Sequence, residues 1–120
     1  MLRIIEVKSK GRGVFDFTNK VMEIPKKEEI NSGVLVLYAI DDLCSIITIE
    51  YEPRLISDLG KLLEGLNVSD RVKSSLFPVS IAIPIVDKEL FLGSFQQVCL
   101  LDLSGEEGIK KVAVVLLHDE

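Results

Sequence analysis

The sequence predicts an α+β fold, a single domain over residues 1–120 with largely antiparallel strands and two helices. The length of 120 residues fits one domain, and a hydrophobic fraction of 48% is enough to fill one core. Most apolar segments have strand composition and follow one another through short turns, which favours antiparallel pairing. Only two segments show the spacing of apolar residues that is typical of a helix.

The chain begins with two segments of strand composition. Residues 2–9 (LRIIEVKS) are rich in aliphatic side chains, and in residues 14–18 (VFDFT) Val14 and Asp16 alternate with Phe15 and Phe17. The glycine-rich stretch at residues 11–13 (GRG) separates them. A β-hairpin is therefore predicted at the start of the chain.

A short helix is predicted next. Thr18 or Asn19 can cap its N-terminus. Its apolar positions are Val21, Met22 and Ile24. Pro25 interrupts the pattern, so it either kinks the helix or restarts it at a first-turn position. Gly33 is the expected left-handed residue at the end of this segment.

Two strands follow. Residues 34–40 (VLVLYAI) form a continuous apolar run, as expected of a strand that is buried on both faces. Two aspartates end this run. The β-branched segment at residues 44–52 (CSIITIEYE) predicts the next strand.

The clearest helix begins at Pro53, which suits a first-turn position. One apolar stripe at helical spacing predicts that this helix packs against the core, and it consists of Leu55, Ile56, Leu59, Leu62, Leu63 and Leu66. Gly65 and Asn67 end the pattern.

The last third of the chain predicts further strands. Residues 80–86 alternate, and Pro84 indicates an edge position or a bulge because it lacks an amide hydrogen. Residues 90–104 predict one long strand or two strands broken at Gly93, and residues 110–117 predict the final strand. Turns at residues 87–89 and 104–108 separate these segments.

Charge and hydropathy disfavour several classes of protein. The net charge is −5 and no run of Lys or Arg exceeds two residues, so a nucleic-acid-binding face and an anionic membrane surface are disfavoured. Neither a signal peptide nor an apolar run of transmembrane length is recognised, so the cytoplasm is the expected compartment.

Histidine- and cysteine-based chemistry is also disfavoured. His118 is the single histidine, so it cannot form a zinc cluster. A Ser-His-Asp or Cys-His arrangement would need this residue, and nothing in the sequence marks it as buried or oriented. The sequence has no CxxC, HExxH, P-loop or GxGxxG motif. Cys44 and Cys99 lie far apart in apolar runs and are predicted to be buried free thiols.

Asp41 and Asp42 are the candidate ligands for a hard cation. Carboxylates at the end of a buried strand could hold magnesium, but aspartate is also typical of a simple strand-end turn. Successive residues of a strand point to opposite faces, so at most one of the two is expected to face a given pocket.

The stretch RVKSSL at residues 71–76 is the candidate anion site. Lys73 supplies a positive charge, Ser74 and Ser75 supply hydroxyl donors, and backbone amides in a turn could complete an anion-binding concavity. The alternative is that both serines satisfy local backbone groups at a helix-to-strand connection.

The order of motifs resembles one known family. RVKSSL is followed by IAIPIVDKELFLGSFQQVCLLD and then by KKVAVVLL. This resembles the YjbQ-like family, also called secondary thiamine-phosphate synthases, whose pattern is close to AHIKSSL, an IPI run, LGTWQ-[QG]-IYL and a closing V-x-V strand. Upstream, INSGVLVL and EPRLISDL resemble the family's ESG-V-x-x-G-x-V-x-V and EDP-x-V-x-x-DL passages. The resemblance covers nearly the full chain.

The resemblance implies a YjbQ-like α+β fold that assembles as a homotrimer, with a polar site near the subunit boundary. It also implies a link to thiamine-phosphate synthesis, which is a secondary activity of some members. The residues that match the family motif by position are Lys73, Ser74, Ser75, Gly93 and Gln96.

The histidines of the family pattern are missing from this chain. Ile40 and Arg71 stand at two histidine positions, and the shortened loop GLNVSD removes a third. Thr48 and Ile49 replace an asparagine and a glutamate, and Phe95 replaces the tryptophan. A histidine-bound metal such as zinc is therefore not expected.

Three hypotheses for the function follow. The favoured one is a catalytically silent or strongly altered homologue that acts as a trimeric binding or interaction scaffold. The second is an enzyme or binder of a small phosphate-bearing ligand, with magnesium at Asp41 or Asp42 and the ligand at Arg71, Lys73, Ser74, Ser75 and Gln96. The third, a DNA- or RNA-binding module, is disfavoured by the acidic charge.

Overall fold

A computed structural model describes residues 2–118 and confirms an α+β architecture with antiparallel sheets. The strands are β1 (Leu2–Ser9), β2 (Gly13–Asp16), β3 (Ser32–Ala39), β4 (Cys44–Ile49), β5 (Ser80–Val86), β6 (Glu89–Leu90), β7 (Gln97–Asp102) and β8 (Gly108–His118). The helices are α1 (Thr18–Met22), α2 (Ile24–Lys27), α3 (Pro53–Gly65) and α4 (Asp70–Ser75). Within residues 2–118, none of these helices is long and apolar enough to cross a bilayer.

The strands form two antiparallel sheets. One has five strands in the order β1-β8-β3-β5-β6, and the other has three in the order β2-β7-β4. The two sheets and α3 make three layers. Side chains of both sheets, such as Leu37 and Leu100, share one core cluster with those of α1 and α2. The opposite face of the three-stranded sheet packs against Ile56, Leu59 and Leu63 of α3.

The predicted hairpin between the first two strands is wrong. β1 pairs with β8 over eight residues, and β2 pairs with β7 in the other sheet. The glycine-rich turn instead carries the chain from one sheet to the other. Gly11 has a φ of 106°, and its carbonyl oxygen accepts a hydrogen bond from the amide of Gly105 at 2.6 Å. A side chain at Gly11 would press on that backbone, so glycine serves a close crossing here.

The prediction of two helices is also wrong, because the described residues contain four. The first predicted helix is divided at Glu23, and α2 restarts with Pro25 in its first turn. The left-handed residue after α2 is Glu29, with a φ of 55°. Gly33, the expected cap, instead lies inside β3. The fourth helix, α4, includes most of the stretch RVKSSL, which the sequence analysis placed in a turn.

Gly33 is predicted to be intolerant of any side chain. A Cβ at this position would collide with the carbonyl oxygen of Leu117 and the backbone of His118 on the neighbouring strand. Gly33→Ala is expected to lower the free energy of unfolding by about 1–3 kcal/mol, measured by urea denaturation. Gly60→Ala is the matched control, because Gly60 lies in α3 with open space around its Cα. This control should be neutral or slightly stabilising, and equal losses in both variants would contradict the argument.

The five-stranded sheet is covered on one face only. Leu35, Leu37 and Ala39 of β3 point into the core, as alternation requires. The side chains between them point outward, and Tyr38 remains 50% exposed. We call this surface the outer face and define it by Ile4, Val36, Tyr38, Pro84, Val115 and Leu117, which share it by strand register. The prediction that β3 is buried on both faces therefore fails in the single chain.

Candidate functional site

Helix α4 positions the candidate anion-binding residues. Its N-cap is Ser69, whose hydroxyl accepts a hydrogen bond from the amide of Val72 at 3.3 Å. Asp70 in the first turn adds a negative charge where the helix dipole favours one. Residues three and four positions apart share one side of a helix. Arg71, Ser74 and Ser75 therefore point to the same side.

This side of the helix borders a groove of about 460 Å³, which we call the α4 groove. Its other wall is the end of β3, the turn after it and the start of β4. The residues that line it are Tyr38, Ala39, Ile40, Asp41, Asp42, Leu43, Cys44, Ser45, Arg71, Ser74, Ser75, Phe77 and Val79. The groove brings together side chains from positions about thirty residues apart in the sequence.

Arg71 and Asp42 form a two-pronged ion pair in the α4 groove. The Nη1 and Nη2 atoms of Arg71 donate to the two carboxylate oxygens of Asp42 at 3.0 and 2.9 Å. The hydrogen bond from Arg71 and its charge hold the pKa of Asp42 below its usual value, and the same contact raises the pKa of Arg71. Both side chains are about 70% exposed. The single cation that lines the α4 groove in the described chain is thus already paired.

Asp41 also lines the α4 groove. Its Oδ2 atom accepts a hydrogen bond from the backbone amide of Lys111 at 2.5 Å, which ties the turn to β8. The prediction that at most one of Asp41 and Asp42 faces a pocket is wrong, because β3 ends at Ala39 and strand alternation does not extend into the turn. Both carboxylates have protein partners. Within residues 2–118, no three His, Cys, Asp or Glu side chains cluster in a way that could hold a metal ion.

The two serines make local contacts. The hydroxyl of Ser75 donates to the carbonyl oxygen of Val72 at 2.6 Å, so it satisfies backbone of its own helix. The hydroxyl of Ser74 lies 3.4 Å from that of Ser45 on β4. Ser74 therefore links α4 to the three-stranded sheet, and it also lines the α4 groove.

Lys73 and Gln96 lie elsewhere. Lys73 is buried on α4 outside the residues that line the α4 groove. Its charge acts on Asp70, whose pKa is lowered first by a hydrogen bond from Arg12. Gln96 closes the loop before β7, where its Oε1 accepts from the amide of Gly93 at 2.7 Å. It lines a separate groove of about 710 Å³ beside α1 and the start of α3.

The positions that differ from the family pattern are divided in the same way. Ile40 and Arg71 both line the α4 groove. Thr48 and Ile49 lie farther along β4 and line a different, apolar groove. Phe95 lies beside Gln96 and is 70% exposed. The motif residues therefore do not converge on one pocket within a single chain.

Within residues 2–118 the structure contains a buried polar cluster that the sequence did not predict. Asp102, fully buried at the end of β7, accepts hydrogen bonds from the hydroxyl of Ser9 at 2.5 Å and from the amide of Ser104 at 2.8 Å. The Nζ atom of Lys110 lies 3.7 Å from the same carboxylate and donates to the hydroxyl of Ser104. This cluster joins β1 and β8 of one sheet to β7 of the other. A single aspartate inside the apolar run VCLLDL is the signal that could have revealed it.

Both cysteines are free and buried, as the sequence predicts. Burial, together with the charge of Asp102, raises the pKa of Cys44 to about 12. Burial raises the pKa of Cys99 to about 12 as well. Neither thiol is therefore an activated nucleophile.

The native protein is accordingly expected to resist thiol reagents. At pH 8 a thiol with a pKa near 12 is ionised in only about one molecule in ten thousand, and the thiolate is the reactive form. Incubation with a chromogenic disulfide should modify neither Cys44 nor Cys99 within minutes. Both should react in about 6 M guanidinium, which unfolds the chain and exposes them. Rapid labelling of Cys44 in the folded protein would show that the α4 groove opens to its thiol.

Comparison with known proteins places the fold in a family. The family described as UPF0047 protein YjbQ-like matches residues 3–119 of the chain. A UPF0047 protein of Methanothermobacter thermautotrophicus is 24% identical over 106 residues, which cover 77% of this chain and 74% of that protein.

Solved structures share the fold at low sequence identity. A YbjQ-like protein of unknown function from Sulfolobus solfataricus has a TM-score of 0.87 at 19% identity, with 99% of this chain and 97% of that chain covered. A hypothetical protein from Aeropyrum pernix has a TM-score of 0.86 at 22% identity, with 99% of both chains covered. An uncharacterised YjbQ/UPF0047 protein from Clostridium acetobutylicum has a TM-score of 0.85 at 19% identity, with 96% and 99% covered.

Proposed function

The chain belongs to the YjbQ-like UPF0047 family, and we propose that it acts in the cytoplasm as a homotrimeric binding or interaction scaffold. It has lost, or strongly altered, the thiamine-phosphate synthase chemistry associated with the family. The apolar outer face of the five-stranded sheet is the observation that carries the proposed assembly.

The outer face is apolar over several neighbouring strands. Ile4, Tyr38 and Leu117 are 50%, 50% and 59% exposed in the single chain. Val36 and Val115 lie opposite each other at its centre. A charged pair of opposite residues, Glu6 and Lys111, stands toward one end. A contiguous apolar surface of this kind, bordered by charge, is typical of a protein–protein interface.

A second copy of the chain is the partner that best fits this surface. The apolar run of β3 has the composition of a strand buried on both faces, yet the single chain covers only one. A chain of 120 residues buries a smaller share of its surface alone than a larger domain does. In a closed ring of three copies each interface is heterologous, so the outer face of one copy would be covered by a different surface of the next copy.

Loss of the family chemistry is proposed from the residues at the site. The α4 groove has Ile40 and Arg71 where the family pattern has histidines, and Arg71 is paired with Asp42. The described residues supply no histidine to this groove. General acid–base catalysis by imidazole is therefore not expected there.

The mass of the protein in solution tests the scaffold proposal. Light scattering should give about 40 kDa, three times the chain mass of 13.3 kDa. A mass near 13 kDa at micromolar concentration would contradict a trimer. Synthase assays should give no thiamine phosphate above the background without protein, and turnover would contradict the loss of chemistry.

A second candidate function is the binding of a small phosphate-bearing ligand. The observation that favours it is the convergence of Arg71, Ser74 and Ser75 on the α4 groove. Lys73 and Gln96, the other two residues of the predicted set, would not contact the same ligand in one chain. Titration with thiamine phosphate, pyrophosphate and phosphate, with and without magnesium, tests it. Saturable binding that Arg71→Gln abolishes would support it, and no binding of any of the three would refute it.

A further inference from the structure

We propose that Asp42 is a built-in competitor for Arg71, so that the α4 groove is a masked anion site that opens when this ion pair is broken. This inference rests on the second candidate function, the binding of a phosphate-bearing ligand in the α4 groove, and names how that binding is controlled.

The ion pair occupies the part of Arg71 that a phosphate would use. A guanidinium binds carboxylate or phosphate through two parallel N–H donors. Asp42 already engages Nη1 and Nη2 of Arg71 in this arrangement, at 3.0 and 2.9 Å. A phosphate must therefore displace Asp42 or bind through the side edge of the guanidinium, next to the negative charge of Asp42.

The turn that carries Asp42 is anchored on both sides. Asp41 accepts from the backbone of Lys111, and the carbonyl oxygen of Leu43 accepts from the amide of Leu103 at 3.0 Å. Leu43 has a φ of 59°, a left-handed conformation that a leucine adopts only when its surroundings hold it. Its side chain packs against the cluster beneath α3. The backbone of Asp42 is therefore held in a fixed position opposite Arg71.

The pair can nevertheless open. Both side chains are about 70% exposed, so Arg71 can rotate away without disturbing the core. An exposed ion pair of this kind contributes little free energy, so an anion can compete with Asp42 for Arg71. With Asp41, Asp42 and Arg71 as its charged residues, the closed groove carries one net negative charge.

Pyrophosphate titration of four proteins, followed by backbone amide chemical shifts of residues 71–75, tests the proposal. Asp42→Asn frees Arg71, keeps the size of the side chain, and should bind pyrophosphate about two- to fivefold more tightly than the wild type. Arg71→Gln should abolish binding. Asp41→Asn is the matched control, because it removes the same charge from the same groove, while its amide oxygen can still accept from Lys111 and keep the Arg71–Asp42 pair in place. The gain in pyrophosphate affinity of Asp41→Asn should be clearly smaller than that of Asp42→Asn.

Each outcome is decisive. A wild-type protein that binds as tightly as Asp42→Asn, or an equal gain in Asp41→Asn, would overturn the competitor role while leaving anion binding in place. The absence of binding in all four proteins would overturn the candidate function and the inference together. Circular dichroism spectra equal to that of the wild type are required of each variant, and all three substituted side chains are on the groove surface, where folding is expected to persist.

Discussion

Replacing Asp102 with alanine is expected to lower the free energy of unfolding by about 3–5 kcal/mol at neutral pH. The carboxylate is fully buried and accepts hydrogen bonds from Ser9 and Ser104, with Lys110 as its counter-ion. Its removal leaves a buried ammonium group without a counter-charge and a buried hydroxyl without its acceptor. Urea denaturation followed by circular dichroism measures the loss.

The effect of Asp102 should also depend on pH. Burial alone would raise its pKa, but the hydrogen bonds from Ser9 and Ser104 and the charge of Lys110 outweigh burial and lower it. The unfolded chain, with an aspartate pKa of about 3.9, therefore binds this proton more readily than the folded one. The stabilisation is fully present above that pH and is lost as pH falls through the lower, folded pKa.

The difference in stability between wild type and Asp102→Ala should accordingly be largest near pH 7 and should shrink in strong acid. Urea unfolding curves at pH 7 and below about pH 3 provide the comparison. Asp42→Ala is the matched control, because it breaks an ion pair in solvent and should leave the urea midpoint almost unchanged. A difference for Asp102→Ala that is small at pH 7, or constant with pH, would contradict the role of its charge.

A double replacement separates charge from packing. Asp102→Leu with Lys110→Met removes both members of the buried pair, so no uncompensated charge remains. Apolar replacement of a buried ion pair is often neutral or stabilising. The double variant should therefore recover much of the stability that Asp102→Ala loses. If it were as unstable as the single variant, the hydrogen bonds to Ser9 and Ser104 rather than the charge pair would dominate.

Local patterns predicted most elements, and nonlocal contacts explain the failures. α3 was predictable because Pro53 and the apolar stripe are both local signals. The partner of β1 was not, because pairing with β8 joins residues about a hundred positions apart. α4 is too short to show an apolar stripe, although Ser69 followed by Asp70 is the capping pattern that could have revealed it.

The candidate site shows the same division. Neighbours in the motif, such as Lys73 and Ser74, take different directions because successive helical residues are about 100° apart. The contact that most alters the α4 groove, between Arg71 and Asp42, joins residues 29 positions apart. Sequence patterns identify Arg71 and Asp42 separately. The two form a pair only because α4 packs against the turn after β3.

The second large effect is expected at the centre of the outer face. Val36→Glu should convert the proposed trimer of about 40 kDa into chains of 13.3 kDa. Val36 lies between Ala82 and Val115 on adjacent strands, and its side chain points away from the core. A carboxylate there stays hydrated in the single chain but would be buried without a partner in an interface. That burial costs several kcal/mol for each subunit.

The fold should survive this substitution, because the core side chains of β3 are Leu35 and Leu37 rather than Val36. Leu62→Glu is the matched control. Leu62 is 59% exposed on α3, which packs on the far side of the three-stranded sheet. The Leu62→Glu variant should remain trimeric by light scattering. If Val36→Glu kept the mass of a trimer, the outer face would not be the interface. If the trimer dissociated in the Leu62→Glu variant but not in Val36→Glu, the assembly would instead form through α3. The apolar outer side of β3 would then have to be covered by a different partner.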